Sequence, residues 1–139
     1  MLSYELGRIW TEKTLQHRKI IEEKYGTYFV SSKPIDPPEC ELFVHAKEGD
    51  PHHHVKIAVI ALMNYLEDIA VLYASGMADK HIIDITLRKP VIGYYDKILP
   101  LSQCIDKVAG YPSWKPLDDI VALWKEDDKK QSTVKPKKF

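Results

Sequence analysis

The sequence predicts an all-α protein: a compact bundle of four main helices plus one or two short ones around a buried central helix at about 51–75. Three observations carry that expectation. Start and stop signals recur along the chain, with Asp50-Pro51, Asp79 and Lys89-Pro90 opening segments that Gly76 and Gly110 close. Apolar residues between those signals keep helical spacing, as Leu117, Ile120, Val121 and Trp124 do. The 139 residues, 45% hydrophobic and 29% charged, suit one domain with a core of its own.

Each element follows from local chemistry. Residues 3–25 read as a first helix, with Leu6–Ile9–Trp10 and Arg18–Ile21–Tyr25 in register and Gly26 as its stop. Thr27 to Ser31 is short and aromatic enough to be extended. Asp36-Pro37-Pro38-Glu39 has the form of a capping box, and it opens a short helix with Leu42, Phe43 and Ala46 on one stripe. The rival for this region is a hairpin pairing Tyr28–Val30 with Leu42–Val44. The central helix follows, with Ile57, Ala61, Leu62, Tyr65, Ile69 and Leu72 expected inside and Met77 folding back past Gly76. Asp79 caps a shorter helix carrying Ile82, Ile83 and Leu87. The next one runs to Gly110 through an internal Pro100, which lacks the N–H to bond Asp96. Pro116 opens the last.

The chain divides into a helical domain at 1–128 and a basic tail at 129–139 expected to be disordered. The tail holds Lys129, Lys130, Lys135, Lys137 and Lys138 and no acid, so a body near −5 carries a tail near +5. Overall, 20 basic and 20 acidic residues cancel, which weighs against a dedicated nucleic-acid binder. The apolar window from Val55 to Ala74 has the length of a membrane span, but Lys56, Asn64, Glu67 and Asp68 interrupt it. Each central acid would cost about 2.5–3.5 kcal/mol on insertion, so no membrane insertion is expected. The first ten residues lack a basic segment followed by an apolar core, and a cytoplasmic location is the expectation.

Candidate chemistry is sparse. His52, His53 and His54 are weak metal candidates, because adjacent helix residues point about 100° apart and cannot converge on one ion. At the start of a helix their protonated forms are disfavoured. Cys40, between Glu39 and Glu41, is a poor nucleophile, and Cys104 shares a face with Leu101 and Val108. Both are expected to be reduced. Asn64, Glu67 and Asp68 lie at i, i+3 and i+4 within an apolar helix, so a carboxylate there needs a partner. Arg18 is the base expected to supply it, making Arg18, Asn64, Glu67 and Asp68 a structural polar network and the one candidate site. No catalytic residue and no cofactor are expected.

Several landmarks occur together: Trp10 and Arg18 in IWTEKTLQHR, then Asn64, Tyr65, Glu67 and Ala70 in MNYLEDIA. GMAD at 76–79 and KILPL at 97–101 complete the set. Over residues 4–125 the chain resembles an uncharacterised family of mostly helical bacterial and phage-borne proteins, a domain of unknown function. Many such proteins carry an N-terminal membrane segment that this sequence lacks, and residues 27–50 read as an addition. The resemblance implies an all-helical fold and carries no activity.

The function expected is non-enzymatic: a small helical protein that binds another protein, or a second copy of this chain, in a bacterial or phage accessory system. One alternative is a metal- or carboxylate-dependent enzyme or effector using Glu67, Asp68 and nearby histidines. Another is a nucleic-acid-associated protein acting through its tail lysines.

Overall fold

Two aspartate caps and three positive-φ glycines, Gly49, Gly76 and Gly110, set where the chain turns. The computed structural model describes residues 12, 14–26, 34–77 and 79–133, which form helices and no strand. The helices are α1 (14–26), α2 (Pro37–Val44), α3 (Pro51–Ser75), α4 (Lys80–Thr86), α5 (Arg88–Ala109) and α6 (Lys115–Thr133). The all-α expectation therefore holds over the described residues. The first half of the expected opening helix and the extended stretch at 27–31 lie outside them.

The Asp50 carboxylate accepts the His52 backbone N–H at 2.8 Å, and Pro51 follows where no helical donor is needed. Asp79 repeats the device on His81 and Ile82, at 2.9 and 3.3 Å. Gly76 and Gly110 end α3 and α5 at φ +74° and +81°, a region that costs a side chain dearly. Met77 does not fold back as expected. It is 74% exposed.

α3 is the centre of the bundle. Val55, Ala58, Val59, Leu62, Met63, Leu66, Ile69 and Ala70 are buried along one face. Against that face pack α2, α5 and α6, which bring Phe43, Val91, Ile98, Leu101, Leu117, Val121 and Trp124 into the same core. α1 runs antiparallel along the flank of α3: Thr14 and His17 share a cleft with Tyr65 and Asp68, and Ile20 and Lys24 share one with Pro51 and Val55. By length and composition α3 could cross a membrane, yet here its apolar face is covered by neighbouring helices.

The burial pattern corrects the expected one by a fraction of a turn. Leu62 and Ile69 are fully buried, Ala61, Tyr65 and Leu72 only partly, and Ile57 is 50% exposed. The core face runs through 55, 59, 62, 66 and 69. Position 57 is two residues, about 200°, from 55 and 59 and so points outward.

α2 is helical, so the hairpin is not formed. The capping box fails in detail: Asp36 sits at the cap but makes no side-chain bond there. Glu39 does not reach back because Tyr25 Oη and His52 Nε2 hold it, at 2.7 and 3.1 Å. The carbonyls after α2 are held from α3, where Lys56 Nζ donates to Val44 O and Ala46 O at 3.1 and 3.0 Å. Leu42, expected on the buried stripe with Phe43 and Ala46, faces solvent.

Cys40 and Cys104 correct the expectation of two reduced thiols. They form a disulfide joining α2 to α5, with Cα atoms 5.5 Å apart across 64 sequence positions. The packing of α2 on α5 closes in space what the spacing leaves open. In the chain-entropy picture a loop of that size is worth about 4 kcal/mol. α6 extends to Thr133, so Lys129 and Lys130, expected in the tail, stand on its last turns, where cations suit the carbonyl end. Residues 134–139, with Lys135, Lys137 and Lys138, lie outside the described residues.

These positions predict a sharp contrast on α3. Leu62→Ala or Ile69→Ala should cost about 2–5 kcal/mol in urea unfolding, whereas Ile57→Ala should stay within about 0.5 kcal/mol. Equal costs at the three positions would mean that another face of α3 carries the core.

Candidate functional site

The expected network divides into three separate arrangements. Asn64 and Glu67 both turn toward the start of α6. Asn64 Oδ1 accepts the Trp114 indole N–H at 2.7 Å, and the Glu67 carboxylate accepts the backbone N–H of Leu117. A carboxylate at a helix N-terminus meets both orphan donors and the positive end of the dipole. From the α5 side, Tyr95 Oη donates to Asp118 Oδ1 at 2.7 Å, and Asp106 Oδ1 accepts the Ser113 N–H at 2.9 Å. Side chains from α3 and α5 thus hold the turn that launches α6.

Arg18 is elsewhere. Its guanidinium contacts Glu22 and donates to Tyr94 Oη at 3.3 Å, with Cζ 5.7 Å above the Tyr94 ring. The reach to Glu67 expected of it does not occur, because Tyr94 on α5 and Glu22 on its own helix take its donors. Asp68 departs in a third direction. Being one residue past Glu67, it faces the cleft beside α1, about 200 Å³ in volume, with Thr14, His17, Asn64 and Tyr65. Desolvation and then the Asp68 charge push the Tyr65 phenol up to about 12.

Burial drives the electrostatics at the α6 junction. It raises the Glu67 pKa, partly offset by the Leu117 N–H and reinforced by Asp68 and Asp118. Burial also raises Asp118, while the Tyr95 hydroxyl opposes that shift. Glu67 Oε2 is a buried oxygen with no hydrogen-bond partner. A fully ionised Glu67 is therefore a cost to the fold.

The three histidines fan out as their spacing requires. His53 Nδ1 meets Ala46 O at 3.3 Å, and His54 lines the groove beside Ile20 and Lys24. His52 departs from expectation. Its Nδ1 lies 3.1 Å from Asp50 Oδ1 and its Nε2 3.1 Å from Glu39 Oε1. Both ring nitrogens thus face carboxylate oxygens, one from the cap of α3 and one from α2. The Glu39 pKa is lowered, first by the Tyr25 hydroxyl and then, against desolvation, by His52. Among the described residues, no three His, Cys, Asp or Glu side chains converge as a metal site would need.

Sequence reasoning missed Glu39 and Asp50 as the partners of the His52 ring, with Tyr25 donating to Glu39 behind them, and Tyr95, Trp114 and Asp118 as partners at the α6 start. Asp50 as a helix cap, Glu39 in its capping box and Asp118 in the first turn of a helix carried local signals, but none that named these partners.

Compared with known families, residues 2–124 match the model of a domain of unknown function, DUF4760. No curated protein and no solved structure matches the chain.

Two outcomes follow. Arg18→Met and Glu67→Ala, having separate partners, should destabilise additively within about 0.5 kcal/mol in a double-mutant cycle; a larger coupling would restore a direct pair. The second concerns pH. Because the folded Glu67 pKa is raised, its contribution is complete below the unfolded value and lost as pH rises through the folded one. Glu67→Gln should therefore gain on the wild type in urea midpoint between about pH 4 and about pH 7. Glu39, lowered instead, stabilises above its unfolded value and loses that as pH falls, so Glu39→Gln should lose ground on the wild type as pH rises from about 3 to about 5. A matching sign for both variants would contradict the assignment.

Proposed function

The chain belongs to the DUF4760 family, a domain of unknown function, and from that premise we propose that it works by binding another protein without catalysing a reaction. The observation that supports this reading is the corner between α3 and α4. Within nine residues of chain, Met77, Ile82 and Ile85 are 74%, 39% and 68% exposed. Ile82 and Ile85, three apart on α4, share a side of the helix, and Ile83 alone of the three isoleucines points into the core. Single exposed apolar side chains need no explanation, whereas a group of them beside a well-packed core is the usual mark of a contact surface.

The polar network fits the same reading. Asn64 and Glu67 are engaged in holding α6, and a role in positioning that helix accounts for both. A cytoplasmic setting and a bacterial or phage accessory system belong to the proposal as its context.

A second reading has one observation in its favour. His17 and Asp68 line the same cleft, with Asn64 and Tyr65 beside them, which is the kind of pairing that an acid–base enzyme uses. At about 200 Å³ the cleft is below the ~300–1,000 Å³ typical of small-molecule sites. The nucleic-acid alternative rests on Lys129 and Lys130 at the end of α6 and the lysines beyond it.

Affinity capture from cells that express the protein, with Ile82→Asp/Ile85→Asp as the comparison, tests the leading reading. The wild type should retain a partner, or a second copy of itself, that the double variant loses at an unchanged melting temperature. A partner retained equally by both would remove the corner from the proposal. Retention that vanishes with moderate salt and depends on nucleic acid would favour the tail.

A further inference from the structure

We propose that the Cys40–Cys104 disulfide is an exchange site for a dithiol reductant, attacked at Cys40, and that opening it releases α2 from α5 while the rest of the bundle stays folded.

The two cysteines differ in exposure. Cys104 is 3% exposed, whereas Cys40 is only partly buried, on a helix whose next two residues, Glu41 and Leu42, face solvent. Thiolate attack on a disulfide is in line, with the nucleophile opposite the leaving sulfur. An approach from outside therefore meets Cys40 and expels Cys104 inward.

The buried product is provided for. Cys104 Sγ lies 3.4 Å from the carbonyl oxygen of Pro100, four residues back. Once reduced, its S–H has that acceptor, in the same i−4 arrangement that Thr86 Oγ1 makes with Ile82 O at 2.7 Å. The exchange balances. The reductant's first thiolate bonds to Cys40 Sγ, the Cys40–Cys104 bond breaks, and Cys104 leaves as a thiolate that takes a proton. The reductant's second thiolate then attacks its own sulfur in the mixed disulfide and frees the Cys40 thiol, so two protein thiols replace one disulfide while the dithiol is oxidised to its disulfide.

Opening is local because of what else holds α2. An eight-residue helix has little stability of its own. Its other polar anchors go to α1 and α3: Glu39 to Tyr25 and His52, and the carbonyls of Val44 and Ala46 to Lys56. The bond to Cys104 is the covalent tie to α5, while α5 and α6 bring Val91, Ile98, Leu101, Leu117, Val121 and Trp124 to the core they share with α3. In a reducing cytoplasm such a bond is expected to be transient and sensing; in an oxidising compartment it would be a permanent staple.

The test uses the full chain purified without reductant and a thioredoxin-class dithiol protein with its electron donor. Under native conditions both cysteines should become alkylatable. Amide hydrogen exchange in residues 37–45 should then quicken by about tenfold or more, with residues 58–70 unchanged. A form of the reductant lacking its second thiol should be trapped as a mixed disulfide on Cys40. Cys40→Ser and Cys104→Ser, which both lack the tie, should each leave the remaining thiol alkylatable without denaturant. Two free thiols in the protein as isolated from an oxidising preparation would overturn the proposal. So would reduction only in denaturant, trapping on Cys104, or loss of protection through α3 together with α2.

Discussion

Everything else in this fold leans on one apolar face of α3. Eight buried side chains from Val55 to Ala70 form a surface that α2, α5 and α6 share. Without that common surface neither α2 nor α4, eight and seven residues long, would hold its shape, since helices so short need tertiary packing to exist. The cost of burying polar groups next to this face explains most of the hydrogen bonds described above. Trp114 turns its indole N–H to Asn64, and Tyr95 its hydroxyl to Asp118, so each large ring enters the core with its polar atom satisfied.

α6 is fastened at both ends by different physics. At its start, Glu67 and Asn64 supply acceptors where a helix presents spare donors. Farther along, Arg88 Nη2 donates to Trp124 O at 2.7 Å and to Asp128 Oδ1 at 2.8 Å, with its Cζ 5.9 Å over the Trp124 ring. Tyr73 meets the same ring edge-on at 5.1 Å. Both ends carry a cost. Arg88 serves two acceptors and a ring, yet its Nε and the Trp124 indole Nε1 are buried without a partner, as Glu67 Oε2 is at the start.

α2 is held in a contrasting way, by a disulfide, a lysine reaching from α3, and a Tyr–Glu–His–Asp chain crossing from α1 to the start of α3. Only Phe43 of this helix is fully buried. A segment with one deep apolar anchor and several polar or exchangeable ties can be loosened by proton or redox chemistry without dissolving the core. The apolar corner at Met77, Ile82 and Ile85 lies on α4 and the turn before it, whereas the exchangeable tie is on α2 and α5. A change in redox state and a docked protein would thus act on different elements.

The bounds of α3, the start of α4 and the end of α5 were determined by the sequence itself, because caps and stops act within one turn. Asp50-Pro51, Asp79, Gly76 and Gly110 each behave as their local chemistry requires. Partner choice was decided by the tertiary structure alone. The pattern placed Glu67 beside apolar neighbours and so demanded a partner, but Arg18 was taken by Glu22 and Tyr94, and a backbone N–H of α6 filled the role. Cys40 and Cys104 paired because α2 came to lie on α5, a fact with no trace in their spacing. Glu39 left its expected cap for Tyr25 and His52 on other helices. Local rules concern a residue and its next turn; which distant donor, ring or sulfur meets it depends on how the helices pack about α3, and that is a property of the whole chain.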